Sequence, residues 1–218
     1  NTDEIYLFNG QLTSLSTQLS FSQYVKEHNH LNKWNPNTFD NFKTHYDKSN
    51  RDIYFIDKSS CLVYSESLGQ FTSFMSYEGT PYMFNIDNSF YAIKNNKIWE
   101  QFAGDYNSFY GETKPYSITV ISNPDSFYDK IFNTVEFRAD TWDDTKLLNS
   151  TFDTLEVWNE YQHGKASLVN TLGRPSPLKR KFRIWRANIP RDMSNMRDRI
   201  RNTWAYIKLE HSNPSNYK

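Results

Sequence analysis

Cysteine, glycine and long apolar runs are scarce in this sequence, and their scarcity excludes several kinds of protein. Cys61 is the only cysteine, which excludes an internal disulfide and a metal cluster built from several cysteines. No run of about 18 apolar residues, the length of a membrane-spanning helix, occurs, so we predict no membrane span. Lys plus Arg and Asp plus Glu number 25 each, so no net charge draws the whole chain to nucleic acid.

The motifs of common enzyme chemistry are missing as well. The sequence has no Gly-x-Ser-x-Gly motif around a serine nucleophile and no glycine-rich loop that could hold a phosphate group. Cys61 lies between apolar neighbours in a predicted strand, where cysteine usually packs as a small apolar side chain. We therefore predict that the chain is not an enzyme and has no catalytic or cofactor-binding residue.

Two histidines are the best candidates for metal ligands. His28 and His30 are separated by one residue, a spacing that can place two ligands on one side of a strand. No third ligand is evident, and the neighbouring residues form a polar stretch typical of a loop. We expect solvated loop histidines and predict no metal site and no cofactor.

A group of carboxylates has two interpretations: the acid pair of a glycosidase, or the solvent-exposed face of an ordinary sheet. Most glycosidases use two carboxylic acids on one surface, and residues four apart on a strand, such as Glu156 and Glu160, face the same side. The same pattern is expected on the solvent-exposed face of an ordinary sheet, which is our interpretation. The residues concerned are Trp142, Asp143, Asp144, Asp153, Glu156 and Glu160.

Aromatic residues are abundant and point to an all-β fold. The chain contains 15 Tyr, 16 Phe and 6 Trp, and these residues favour strands, whereas the many Asn, Asp and Ser residues favour turns. Residues 1–50 are weakly patterned: residues 5–8 could form a strand, and residues 12–25 could form strands or a short helix. From residue 51 to residue 101, strands of about five residues alternate with tight turns.

Two stretches of similar design favour propeller blades in this region. Residues 52–74 and 83–111 each hold a strand, an Asp or Asn turn, an aromatic strand, a second turn and a further strand. Each ends in a Ser-Phe pair, Ser73-Phe74 and Ser108-Phe109, at a spacing somewhat shorter than the roughly 40–45 residues of known propeller repeats. An ordinary meander within a sandwich explains the pattern equally well. We predict a partial β-propeller over residues 1–113.

Residues 114–211 are predicted to form a separate, small antiparallel β-sandwich-like domain, followed by a polar tail at 212–218. Apolar and polar residues alternate along its strands, so one face of each strand is buried. Asp192–Arg199 could form a helical turn or a loop. The predicted strands cover residues 116–121, 134–139, 154–161, 181–187 and 204–209.

Charges are segregated along this second domain. The charged residues between positions 140 and 160 are all acidic except Lys146. Residues 174–201, in contrast, contain ten Lys and Arg residues and only two acidic residues, Asp192 and Asp198. Three interpretations remain open: ion pairs across the strands of one chain, a basic surface facing DNA, or acidic and basic patches that meet between subunits.

Six segments, taken together and in this order, carry a resemblance to a known family. They are VYSESLGQFTSF (63–74), GDYNSFYGETKPYSITVISNP (104–124), DKIFNTVEFRADTWD (129–143), NSTFDTLEVWNEYQHGKASL (149–168), KRKFRIWRANIPRD (179–192) and DRIRNTWAYIKLEH (198–211). They resemble the C-terminal part of the muzzle, nozzle or stabilization proteins in the tails of crAss-like short-tailed bacteriophages. The resemblance covers roughly residues 51–211, and it rests on structural strands without a catalytic signature.

The resemblance implies a structural virion protein in the distal part of a phage tail. Family members combine a β-propeller with further β-domains and surround a channel through which DNA and ejected proteins pass. The implied partners are other copies of the chain in a ring, a hexamer by analogy with nozzles of other short-tailed phages, and neighbouring tail proteins. If the basic stretch 174–201 lines the channel, we expect carboxylates to neutralise most of its arginines.

The predicted propeller would be incomplete within this chain. A propeller closes with about four to eight blades, and two blades alone would leave long unpaired edges. We therefore expect an N-terminal fragment of the same precursor, or an artificial truncation, to account for the missing blades, and Asn1 at the first position agrees with both.

Host attachment is the alternative function. Trp158 and Trp185 lie in alternating strands, and Trp99, Trp142 and Trp204 lie near turns. Exposed aromatic rings can stack on sugars, so the second domain could be a glycan- or receptor-binding sandwich. Burial of these rings in the core or in a subunit interface is the simpler explanation.

Overall fold

The computed structural model describes residues 4–28, 43–57, 59–77, 80, 82–105, 108–143, 145–195 and 198–212. The chain divides into two compact units, Asn1–Ala103 and Gly104–Lys218, which are described separately. All strand pairs in the described ranges are antiparallel, which confirms the predicted all-β class. The described helices are too short to cross a bilayer. All but the first residue of the expected polar tail lies outside the described residues.

A hairpin and two short helices begin the first unit. The hairpin pairs β1 (Tyr6–Phe8) with β2 (Leu12–Ser14), and α1 (Leu15–Gln18) and α2 (Ser22–His28) follow. Ser14 starts α1, because its hydroxyl oxygen accepts the backbone N–H of Thr17 at 3.3 Å. The strand expected at residues 5–8 is confirmed, and residues 12–25 contain both a strand and helices.

A four-stranded sheet forms the centre of the first unit. Its strands follow one another in space as they do in sequence, because each turn is too short for any other connection. They are β3 (Lys43–Asp47), β4 (Asp52–Ile56), β5 (Cys61–Ser65) and β6 (Gln70–Phe74). Every residue of β5 is buried, so both faces of this sheet are covered. Leu15 of α1 packs with Phe55, Leu62 and Tyr64 on one face.

A three-stranded sheet packs on the other face. It contains β7 (Tyr82–Ile86), β8 (Ser89–Lys94) and β9 (Lys97–Glu100) in sequential order. Tight turns at Asp87-Asn88 and Asn95-Asn96 connect these strands, which confirms the alternation of short strands and tight turns predicted for this region. Asn95 and Asn96 both have positive φ, 53° and 59°, as the tightest hairpin turns require.

Polar contacts join the first strands of these two sheets. The Asn85 side chain donates to the Tyr46 carbonyl at 2.7 Å, and the Ser49 hydroxyl donates to the Asn88 carbonyl at 2.6 Å. Between the sheets, Tyr54 stacks on Phe90 with ring centroids 5.5 Å apart. The two sheets are therefore layered, with β3 beside β7.

The second unit is built from two larger sheets and three short strand pairs. The four-stranded sheet has the order β12-β22-β17-β18, and the three-stranded sheet has the order β14-β20-β19. The first contains β12 (Tyr116–Ser122), β17 (Thr154–Trp158), β18 (His163–Ser167) and β22 (Ala205–His211). The second contains β14 (Thr134–Phe137), β19 (Leu178–Lys181) and β20 (Ile184–Asn188).

The short pairs account for the remaining strands in the described part of the second unit. They are β10 (Ser108–Phe109) with β11 (Glu112–Thr113), β13 (Lys130–Ile131) with β21 (Arg201–Asn202), and β15 (Thr141–Asp143) with β16 (Lys146–Leu148). Ser108-Phe109 therefore pairs with β11 in the second unit, whereas Ser73-Phe74 ends β6 in the first unit. The two Ser-Phe pairs of the sequence do not occupy equivalent places.

One core holds the two larger sheets of the second unit together. Leu155, Val157, Ile207 and Leu209 from the four-stranded sheet share a buried cluster with Ala187 from the three-stranded sheet. These positions alternate along their strands, as burial of one face requires. The two sheets thus pack face to face around apolar side chains.

The strand predicted over residues 181–187 is confirmed at residues 184–187, but it begins too early. The structure ends β19 at Lys181 and begins β20 at Ile184, and Phe182 and Arg183 form the turn with φ values of 49° and 64°. Neither residue is of a type that favours positive φ. The predicted strand over residues 154–161 ends at Trp158, because the Asn159 side-chain oxygen accepts two backbone N–H groups, each at 2.9 Å, and forms a turn.

Candidate functional site

Asp140 lies where the acidic and basic stretches of the second unit meet. Arg180 contacts Asp140 at 3.3 Å between Nη2 and Oδ1, and Arg183 contacts the other carboxylate oxygen. The hydrogen bond from Arg183 holds the pKa of the Asp140 carboxyl below its usual value. The Arg180 guanidinium also lies 4.9 Å from the centre of the Trp185 ring. Residues 40 or more positions apart in sequence therefore form one charged cluster.

Further ion pairs cross neighbouring strands. Arg186 on β20 lies opposite Glu136 on β14, with Nη2 and Oε1 2.6 Å apart. Glu156 on β17 contacts His163 at 2.7 Å and Lys165 at 3.6 Å on β18, and the hydrogen bond from His163 lowers the pKa of Glu156. These contacts favour the first of the three interpretations, in which opposite charges pair within one chain.

The structure describes only some of the residues considered as metal ligands or nucleophiles. His28 ends α2, His30 lies outside the described residues, and nothing is described of the side chain of His28. Within the described ranges, no group of three or more His, Cys, Asp or Glu side chains could hold a metal ion. Cys61 is 0% exposed in β5, so its expected place in the core is confirmed.

The carboxylates considered for a glycosidase serve structural contacts where they are described. Asp153 accepts the backbone N–H of Ser212 at 2.9 Å and its hydroxyl at 2.6 Å. Glu156 is in the ion pairs above, and Glu160 is exposed. Asp144 and the side chain of Asp143 lie outside the described part of the chain. This arrangement supports the interpretation of a solvent-exposed face.

An open apolar cleft lies at one edge of the second unit. It has a volume of about 630 Å³ and lies between β12 and β14, which are edge strands of the two larger sheets. Ile118 and Val120 of β12 face it and are 42% and 46% exposed. Their neighbours on β22, Leu209 and Ile207, are each only 7% exposed. The sandwich is therefore closed over β22 and open at β12.

Unpaired polar groups lie among the residues that line this cleft. The Thr151 hydroxyl oxygen and both ring nitrogens of His211 are buried and have no hydrogen-bond partner among the described residues. The nearest carboxylate oxygen to His211, on Asp153, lies 3.9 Å from Nδ1. A buried polar group without a partner is costly in water-excluded surroundings, so these enclosed atoms lower the stability of the fold beneath the cleft wall.

An aromatic stack occupies the other face of the four-stranded sheet. The Trp158 ring stacks on Tyr206 with centroids 5.1 Å apart, and Trp204 contacts Tyr206 edge-on at 5.1 Å. All three side chains are half-buried. Trp185 differs, because it is 4% exposed and donates its ring N–H to the Ala139 carbonyl at 2.9 Å. Only some of the tryptophans considered for sugar stacking are thus available to a ligand.

Comparisons with known proteins match both units to one family. A family model described as "Crassvirus muzzle protein" matches residues 1–96, and one described as "Crassvirus muzzle protein C-terminal domain" matches residues 104–192. The chain belongs to the crassvirus muzzle protein family. It is 61% identical over 219 residues to a protein named "Muzzle protein" from Bacteroides phage crAss001. The matched stretch covers 100% of this chain and 16% of that relative.

Membership of the muzzle family confirms the resemblance seen in the sequence. That resemblance did not identify the cleft or its polar residues as a site. A usable signal existed in residues 116–122, Tyr-Ser-Ile-Thr-Val-Ile-Ser, which form a strand without any charged residue. The location of that strand at a sheet edge could not be read from the sequence.

Proposed function

We propose that the chain is a non-catalytic structural component of a bacteriophage virion, located in the muzzle of the tail around the channel for genome ejection. The observation that carries the proposal is the 61% identity to a muzzle protein along the whole chain. The described ion pairs and the apolar core of the second unit hold strands of the fold together, which agrees with a structural role.

The proposed partners follow from this location. Copies of the chain form a ring, a hexamer by analogy with other phage nozzles, and contact neighbouring tail proteins, while DNA or ejected proteins pass transiently. The relative is much longer than this chain, since the match covers 16% of it. A polypeptide of that length has room for the further partner that we propose, a fragment of the same precursor N-terminal to this chain.

Within the proposal, residues 1–113 contribute propeller blades and residues 114–211 contribute a sandwich-like domain. Three features support blades: β3–β6 is a four-stranded meander, β7–β9 is a second meander layered on it, and their first strands lie side by side. Lys43 and Tyr82 begin those first strands, a spacing near the roughly 40–45 residues of propeller repeats.

Electron microscopy of purified virions tests the location. Antibody fragments raised against this chain should decorate the distal end of the tail in a ring with regular spacing, and tryptic peptides of the chain should occur in the virion. Absence of these peptides from virions that carry complete tails would contradict the proposal. Recovery of only one uncut precursor would remove the separate fragment and leave the tail location intact.

Glycan binding during host attachment is a second candidate function, because one observation favours it. The stack of Trp158, Tyr206 and Trp204 lies beside charged side chains on the outer sheet face, and such platforms suit sugar rings. A glycan array probed with the chain should then give saturable binding that Trp158→Ala abolishes. Trp185→Phe, in the core, is the matched control and should retain binding.

A further inference from the structure

We propose that the cleft between β12 and β14 receives an extended polypeptide strand with apolar side chains at alternate positions, supplied by the rest of the muzzle polypeptide. This strand would pair with the free edge of β12. The inference rests on the proposed function, because it takes the chain to be one part of a longer tail polypeptide. Beyond that function, we assign a binding site on this chain and the type of segment that occupies it.

The edge of β12 that faces away from β22 is unprotected. β12 pairs with β22 through all seven of its residues, and no described residue pairs with its other side. Natural proteins protect free edges with charged residues, prolines or bulges, and β12 has none of these. The edges at β18 and β19 do carry such residues, Lys165 on the former and Lys179 to Lys181 on the latter. The unprotected edge is therefore the one suited to a partner strand.

The apolar face of β12 is the second argument. Tyr116, Ile118 and Val120 alternate along the strand and line the cleft, at 52%, 42% and 46% exposure. They lie on the same face of the sheet as Ile207 and Leu209 of the neighbouring strand β22, whose side chains are buried in the core. A strand that paired with β12 and placed apolar side chains on this same face would extend the core outward.

The apolar walls of the cleft restrict the occupant further. The unpaired hydroxyl of Thr151 and the unpaired ring nitrogens of His211 are enclosed beneath those walls, so they do not contact an occupant of the cleft. A sugar fits less well, because its many hydroxyl groups would face walls formed by Ile118, Val120 and Phe137. The chemistry of the cleft thus favours a peptide.

The muzzle family provides a source for this peptide. The match covers 16% of the related muzzle protein, so most of a polypeptide of that length would lie outside this chain, in every copy of a tail ring. A strand from a partner of the same assembly is present at high effective concentration. It can therefore fill the cleft without strong affinity as a free peptide.

Hydrogen exchange measured by mass spectrometry tests the proposal. The 218-residue chain is compared alone and within the recombinant full-length muzzle polypeptide that contains it. Residues 116–122 should exchange at least tenfold more slowly in the full-length protein, since a paired edge protects its amides. Ile118→Asp should abolish this protection, and Ile121→Asp should not, because Ile121 lies on the opposite face of the same strand.

Val120→Thr provides a milder variant, because it retains β-branching while it adds a polar group to the cleft face. It should reduce the protection at least threefold while the chain alone keeps its melting temperature. Equal exchange of residues 116–122 in both contexts would overturn the proposal. Protection that instead grows with the concentration of the isolated chain would assign the cleft to a second copy and also overturn it. Either result would leave the virion test of the proposed function untouched.

Discussion

His45 lies between the two sheets of the first unit and does so as a neutral ring. Its Nδ1 accepts the backbone N–H of Met83 at 3.4 Å, which requires an unprotonated nitrogen. Burial lowers the pKa of His45 below its ordinary value of 6.5. As the pH falls, the unfolded chain therefore binds a proton at His45 before the folded chain does.

This difference predicts acid sensitivity. As the pH falls below about 6.5, the unfolded state gains a proton before the folded state does, so stability present at neutral pH is lost towards the lower folded-state pKa. We expect the melting temperature to fall by a few degrees between about pH 7.5 and about pH 5.5. His45→Gln, which keeps a hydrogen-bond acceptor, should show a smaller decrease. An identical decrease in both proteins would contradict the assignment to His45.

Thr151 gives a second test at the scale of one side chain. It is 9% exposed, and its hydroxyl has no described partner. Thr151→Val removes that unpaired group at nearly constant shape, so the free energy of unfolding of the isolated chain should rise by about 1 kcal/mol. Urea denaturation measures the change.

Thr141 is the matched control for that substitution. It also lines the cleft, but its hydroxyl donates to the Ser150 carbonyl at 2.9 Å. Thr141→Val should therefore lower the free energy of unfolding. The same sign of change in both variants would argue against an unpaired hydroxyl at Thr151.

Two turns of the first unit each begin with an aspartate whose carboxylate is buried and accepts hydrogen bonds from the turn. Asp47 is 0% exposed, and its Oδ1 accepts the backbone N–H groups of Ser49 at 2.9 Å and Asn50 at 3.3 Å. Asp57 accepts from Ser59 and Ser60, each at 2.6 Å. The side chain in each turn replaces a backbone acceptor.

Removing the Asp47 carboxylate should weaken the β3–β4 hairpin. Asp47→Ala leaves two turn N–H groups without their acceptor, and we expect a loss of about 1–3 kcal/mol in the free energy of unfolding. Asp47→Asn keeps one oxygen acceptor and should lose less. Chemical denaturation compares the two variants, and equal losses would show that the turn bonds contribute little.

Local chemistry explains which elements were predictable. Turns such as those at Asp57, Asp87 and Asn95 are predictable, because Asp and Asn favour turns in most surroundings. The turn at Phe182-Arg183 was missed, because it contains no such residue and reverses the chain against local preference. The cleft was missed for a different reason: it exists because β22, from the end of the chain, inserts between β12 and β17, a pairing over long sequence separation.

For the whole molecule, balanced charge predicts weak contact with DNA. Formal net charge is zero, and Arg180, Arg183 and Arg186 each contact a carboxylate. We expect no strong, salt-sensitive DNA binding by fluorescence anisotropy. Weak binding would suit the proposed location, since DNA that passes through a channel must not adhere to its wall. The double variant Glu136→Gln/Asp140→Asn should bind roughly two- to tenfold more tightly at low salt. Strong binding by the unmodified chain would contradict the pairing of these arginines.

The tip of the β19–β20 hairpin is formed by two residues that strain the backbone. Phe182 and Arg183 adopt left-handed conformations that Asn and Gly accept at lower cost, and the Phe182 ring is 86% exposed. The chain therefore presents a large apolar ring on a protruding turn, where neither backbone preference nor burial in the core favours it.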